Sequence, residues 1–175
     1  FVTRSVEPKA LNGMATRKEV RVLFTGKEDG PWMDILIYLP NRSKRPPLFV
    51  GLNFYGNHTI HKDPGITLSD RWMNNNKSFG IVDHRATEAS RGVRVNRWPV
   101  EKILQRGYGL ATIYYGDIDP DYDDGFQNGV HPHFYRDGQS KPKPDEWGSI
   151  AAWSWGLSRA LDYFETDPDV DSKRV

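Results

Sequence analysis

There is no cysteine among the 175 residues. Disulfides, zinc–thiolate sites and thiol nucleophiles are therefore excluded within the chain, and so is a disulfide-stapled extracellular module. The lack of cysteine fits a cytosolic, a periplasmic or a bacterial secreted protein equally. No apolar run approaches the roughly 20 residues needed to cross a bilayer, so no membrane partner is expected. No signal peptide is visible, because no hydrophobic region follows Phe1-Val2-Thr3-Arg4. A dominant charge is missing too: 24 basic residues face 23 acidic ones, for a net +1. That balance argues against a nucleic-acid binder, which needs a basic stripe. Internal repeats and low-complexity tracts are absent.

What is present suits one domain or part of one. Hydrophobic residues make up 37% of the chain and aromatics 13%, including six Trp. Aromatic richness is common in proteins that handle sugars, but aromatics also simply fill cores.

Glu19–Thr25 alternates polar and apolar residues, as a half-buried strand does. Lys27 to Pro31 reads as a turn into a second strand, Met33–Pro40, which predicts an antiparallel pair. Leu48–Phe54 is nearly continuously apolar, the pattern of a strand buried on both faces. It runs into the polar, glycine-containing Tyr55-Gly56-Asn57-His58-Thr59, a common place for function in an α/β sheet. Residues 60–97 are polar and irregular, and read as an insertion over a site or a mobile lid. Trp98 to Gly107 reads as a helix with Pro99 in its first turn and Gly107 at its end. Tyr108–Tyr115 is another buried strand, and residues 116–146 form a long acidic loop. Trp147–Glu165 is the clearest helix, with Ile150, Trp153, Leu157, Leu161 and Phe164 on one stripe. Trp155 lies off that stripe, which predicts burial on a second side. Lys173-Arg174-Val175 reads as the start of a further strand. The order is that of an α/β protein with a mixed sheet.

Several residues invite a chemical reading. Ser154, in Ala152-Trp153-Ser154-Trp155-Gly156, resembles a nucleophile elbow with alanine in the first place. An elbow needs a strand before the serine, whereas Ser154 falls mid-helix and Ser149 near that helix's start. Asp117, Asp119, Asp121, Asp123 and Asp124 alternate like a calcium loop. Counted from Asp119, the sixth place holds Asp124 instead of Gly and the twelfth Val130 instead of Glu, so the EF-hand pattern fails. His131-Pro132-His133 offers two imidazoles, but proline predicts an extended shape with the rings apart, and no third metal ligand is near. His58 and His61 follow the third strand. Gly56 and Asn57 either present an amide N–H to a developing oxyanion or make an ordinary turn. Spacing alone leaves both open.

The run Ala152-Trp153-Ser154-Trp155-Gly156-Leu157-Ser158-Arg159-Ala160-Leu161-Asp162 resembles the helix that precedes the nucleophile in glucuronoyl esterases, a family of carbohydrate esterases. Pro47 to Thr59, and Arg97-Trp98-Pro99 through Arg106-Gly107-Tyr108-Gly109-Leu110-Ala111-Thr112, resemble the bacterial branch of that family. The resemblance implies an α/β-hydrolase, a three-layer sandwich with a mixed sheet, spanned by residues 1–175 as its N-terminal half. It implies a Ser-His-acid triad that hydrolyses esters of glucuronic acid in lignin–xylan cross-links, in an exported protein, secreted or periplasmic, without cofactor or metal. The triad is expected after Val175, in the C-terminal half, so no catalytic residue is assigned here. Tyr55, Gly56, Asn57 and His58 are the candidates for the oxyanion turn or substrate cleft, with loop 116–146 as a second wall. An acetyl-xylan or general carboxylesterase on the same fold is the alternative. A non-catalytic carbohydrate-binding protein or an inactive fragment is the alternative of another class.

Overall fold

The hairpin forms as the alternation predicts, and it is longer. In the computed structural model, which describes residues 1–175, β2 (Ala15–Leu23) and β3 (Trp32–Pro40) pair antiparallel without a break from Ala15↔Pro40 to Leu23↔Trp32. An edge strand not evident from the sequence, β1 (Val2–Lys9), pairs with β2. Its polar residues and Pro8 suit a solvated edge, where a missing N–H costs no ladder bond. The turn Ala10–Gly13 (α1) joins the two, with Leu11 and Asn12 in the left-handed region. β4 (Leu48–Asn53) and β7 (Gly109–Tyr114) are parallel, and the sheet order is β1-β2-β3-β7-β4. The sheet is therefore mixed, and β4 lies at its edge.

Helices cover both faces. On one side Val20, Val22, Met33, Ile35, Ile37, Ala111 and Ile113 pack against α3 (Ser149–Thr166). On the other, Leu36, Tyr38 and Leu110 pack against Val100 and Leu104 of α2 (Val100–Gln105) and against Ile60 and Ile66. β3 supplies both cores because successive side chains of a strand point to opposite faces.

The buried face of α3 differs from the predicted stripe. Ile150 is 77% exposed and Leu161 45%, while Ala152, Gly156, Ala160, Tyr163 and Phe164 are buried. The helix lies so close to Ile118 that a Cβ on Gly156 would stand 2.3 Å from its Cδ1. Small residues win the inner face because only they permit that approach. Trp155 packs on Phe24 and Phe134, the second side that the sequence predicts.

β2 begins four residues before the predicted strand, and the alternation holds only from Val20 onward. Arg17, Lys18 and Glu19 are all buried. Arg17 donates to Asp63, Lys18 to Asp167 and Asp169, and Glu19 accepts from Ser5 and Thr67. Buried charges are tolerable only when paired in this way. Residues 60–97, which include the short ribbon β5 (Ile81–Val82) and β6 (Arg85–Ala86), form a packed cover. Met73 and Ile81 are fully buried, Arg91 donates to Ile66 O and Asp63 O, and Tyr114 Oη donates to Trp72 O.

Candidate active site

The parallel pair β4–β7 ends at Asn53 and Tyr114, and the chain leaves the sheet there through two glycine-bearing loops. Ends of parallel strands are where open α/β sheets place ligands. After β4 the backbone turns at Gly56, with φ +91 and ψ 150, into a tight turn over Asn57–Thr59. Thr59 closes it by donating twice to Gly56 O, from N at 3.0 Å and from Oγ1 at 2.8 Å. None of the backbone N–H groups from Phe54 to His58 donates to an acceptor within the chain. Backbone N–H groups left unspent at such a turn are free to receive an anion or oxyanion.

The four candidates occupy different situations. Tyr55 is half-buried, edge-on to Phe79 at 5.0 Å and under the Arg94 guanidinium at 5.5 Å. Gly56 is buried, and a Cβ on it would meet His58 Cε1 at 2.6 Å and Met73 Cε at 2.8 Å. Asn57 turns its side chain into the sheet, where Nδ2 donates to Asp34 O at 2.9 Å and Oδ1 accepts from Asn53 Nδ2 at 2.7 Å. His58 is fully buried, with Nε2 2.8 Å from Ser90 Oγ. Ser90 gives its single proton to Thr87 O, so His58 Nε2–H donates to Ser90, and Nδ1 is left without a partner. The side chain of His58 thus fastens the segment 87–92 to the turn.

Burial, and secondarily the Arg91 cation, lower the His58 pKa from 6.5 to about 4. A depressed base favours the neutral form when folded. Its contribution is complete above pH 6.5 and is lost as pH falls toward about 4, where the unfolded chain takes a proton that the native site refuses. Over that window wild type is expected to lose about 3 kcal/mol relative to a His58→Gln variant. Urea unfolding of both proteins between pH 7 and 4 checks this, and parallel curves would refute it.

Beside the turn lies a hollow of about 390 Å³ walled by Leu52, Asn53, Tyr55, Arg94, Arg97 and Trp98. Phe54 is 63% exposed and edge-on to Tyr115, which is edge-on to Trp153. Beneath this region, Arg21 and Arg71 sandwich the Trp32 ring at 3.3 and 3.6 Å. Burial pushes the nearby Asp117 up to about 7, against the pull of the Asp34 N–H that donates to it.

The remaining sequence candidates lie elsewhere. Ser154 is exposed in the middle of α3, and its Oγ donates to Ile150 O, so it stands on no elbow. His131-Pro132-His133 is not extended. It begins a 3₁₀ turn, His131–Phe134, because proline at an early helical position fits a helical φ. His131 is buried against Asp119 at 3.2 Å and stacks on Trp147, whereas His133 is exposed. Asp123 and Asp124 cap their own loop, accepting from the backbone N–H groups of Gly125, Phe126, Gln127 and Asn128. His61 bonds Glu101. Asn53, which holds Asn57, and Thr112, which holds Asn53, escape sequence reasoning because each reads as an ordinary strand residue.

No family model matches the chain. A curated relative, carbohydrate esterase MZ0003 from an unknown prokaryotic organism, is 54% identical over 168 residues, covering 95% of this chain and 39% of that protein. Among solved structures, the glucuronoyl esterase from Solibacter usitatus superposes with a TM-score of 0.91 at 48% identity, over 99% of this chain and 43% of that one. A promiscuous CE15 esterase from a marine bacterial metagenome superposes at 0.84 with 51% identity, over all of this chain and 45% of that one. The chain thus spans less than half the length of these relatives. The three-layer mixed sheet is that of an α/β-hydrolase, incomplete relative to the full enzymes. With that fold and this level of identity throughout, the chain belongs to the glucuronoyl esterase family.

Proposed function

We propose that these 175 residues are the N-terminal half of an exported serine esterase that hydrolyses glucuronic acid esters of the lignin–glucuronoxylan type. The names of the relatives support the reaction class. The observation within the chain that carries the reading is the turn of unspent N–H groups at the end of β4. Further support comes from the open edge of β4. Leu48 N donates to Arg174 O at 2.9 Å, and Asp171 N donates to Pro46 O, so the last residues run alongside that edge. A strand continued from Val175 would lie parallel to β4 and end beside the turn, where an elbow serine belongs.

In this reading the serine, deprotonated by histidine, attacks the ester carbonyl, and charge collects on the carbonyl oxygen. The N–H groups of the turn beyond Phe54 receive that charge. Each such donor is worth about 10²- to 10³-fold in rate. Acyl-enzyme hydrolysis repeats the geometry with water as nucleophile. The polypeptide containing both halves is expected to hydrolyse methyl glucuronate esters with a higher kcat/KM than p-nitrophenyl acetate. The reverse order would favour the general carboxylesterase, and no hydrolysis of either ester would reject the esterase reading.

A further inference from the structure

We infer that Asn53 is a positioning residue that fixes the 54–56 turn above the sheet through Asn57; this rests on the esterase reading. Asn53 is the last residue of β4 and is 2% exposed. Its Nδ2 spends both protons, on Asn57 Oδ1 at 2.7 Å and on Thr112 Oγ1 at 3.0 Å. Thr112 Oγ1 donates in turn to Gly51 O at 2.9 Å. Asn57 Nδ2 donates to Asp34 O at 2.9 Å. The β3–β7 ladder begins at Ile35↔Ile113, so the Asp34 carbonyl lies just past its end and is capped by this amide.

These bonds leave each amide one orientation. Asp34 O accepts only from a donor, so Asn57 must present Nδ2 to it and Oδ1 to Asn53. Asn53 must then present Nδ2 to Asn57. The side-chain bond joins the residue before the turn to the residue after it. The same pair is anchored to β7 through Thr112 and to β3 through Asp34. The N–H groups of Phe54, Tyr55 and Gly56 are thereby mounted on three strands at once. Asn53 Oδ1 is buried without a donor. An aliphatic residue of similar size could fill the same space but could not make the two donations to Asn57 and Thr112, so the amide donors and not packing account for asparagine here.

An oxyanion site depends on donors held within a few tenths of an ångström of the transition-state oxygen. Loosening the mount should cost kcat and leave ground-state binding intact. In the polypeptide that carries both halves, Asn53→Ala is expected to lower kcat by about 10- to 100-fold with KM within about twofold. Asn53→Ser, which keeps one donor, should lie between. The double variant with Asn57→Ala should be slower by less than the product of the two single losses, because both remove the shared Asn53–Asn57 bond. Labelling by a phosphonate ester, whose adduct mimics the tetrahedral oxyanion, should slow in step with kcat. Variants that lose thermal stability but keep wild-type kcat and labelling would reduce Asn53 to a core residue and overturn the inference. A wild type that neither hydrolyses glucuronate esters nor labels would overturn the esterase reading, and the inference with it.

Discussion

Gly56→Ala is expected to destabilise the fold by about 3 kcal/mol and to lower kcat at least about a hundredfold in the catalytically complete protein. Two independent penalties meet at this position. The backbone has φ +91 and ψ 150, close to a region reserved almost wholly for glycine, where a side chain costs about 1–3 kcal/mol. The added Cβ would also stand 2.6 Å from His58 Cε1 and 2.8 Å from Met73 Cε. Both neighbours are fully buried, so neither yields cheaply, and overpacking adds about 1–3 kcal/mol. Relief by rotating the peptide would re-aim the N–H groups on either side of Gly56. Catalysis should therefore suffer beyond what unfolding explains. Urea titration gives the first quantity, and kcat of the folded fraction the second. A variant that is less stable yet retains wild-type kcat would show that the turn does not serve the reaction.

The second large effect lies at the C-terminal end of α3. Asp167→Ala is expected to destabilise by about 3 kcal/mol. Lys18, on β2, donates to Asp167 Oδ1 at 2.8 Å and Oδ2 at 3.0 Å, joining residues 149 apart in sequence. Tyr163 Oη and Asp169 N also donate to the same carboxylate. Both ionic partners are buried, at 8% and 6% exposure. Deleting the carboxylate leaves the Lys18 ammonium, the Tyr163 hydroxyl and the end of the helix in need of partners. Asp169 still accepts from Lys18 at 2.7 Å, but its side chain is 61% exposed and compensates only in part. For the same reason Asp169→Asn should cost under about 1 kcal/mol. The pair Lys18→Met with Asp167→Leu should recover most of the loss, because removing both charges removes the desolvation penalty along with the attraction. Urea midpoints of the four proteins decide it. A loss under about 1 kcal/mol for Asp167→Ala would mean that water reaches the pair.

The sequence was most informative where burial is uniform and least informative where one element leans on another. β3 and β7 are legible as apolar runs because both sheet faces are covered, and the α3 helix is legible from its length; β4 carries the same apolar pattern, but at the sheet edge it leaves Phe49 55% exposed and is not buried on both faces as the sequence predicts. Its orientation is not. Hydrophobicity ranks Ile150 above Gly156, but the distance between α3 and Ile118 decides which of them faces in. β1 is hidden because an edge strand need not carry an apolar face. Among the candidate residues, Gly56 is legible as a turn former, and a resemblance over two short motifs points to its neighbourhood. The inward direction of Asn57 and the Ser90 partner of His58 are not legible, since each depends on a residue from another part of the fold.

The amino-acid sequence by itself determined the fold class, the family resemblance, the exclusion of thiol chemistry and the place in the chain where the candidate turn begins. Those properties follow from composition, local periodicity and short motifs, all of which survive in one dimension. Tertiary structure alone decided which polar groups are spent. Asn53 bonds Thr112 across 59 positions and Lys18 bonds Asp167 across 149, while the N–H groups of residues 54–56 find no partner. Hydrogen-bond satisfaction is a property of neighbours in space, and for a polar group buried among strands from distant parts of the chain those neighbours are fixed only when the sheet closes.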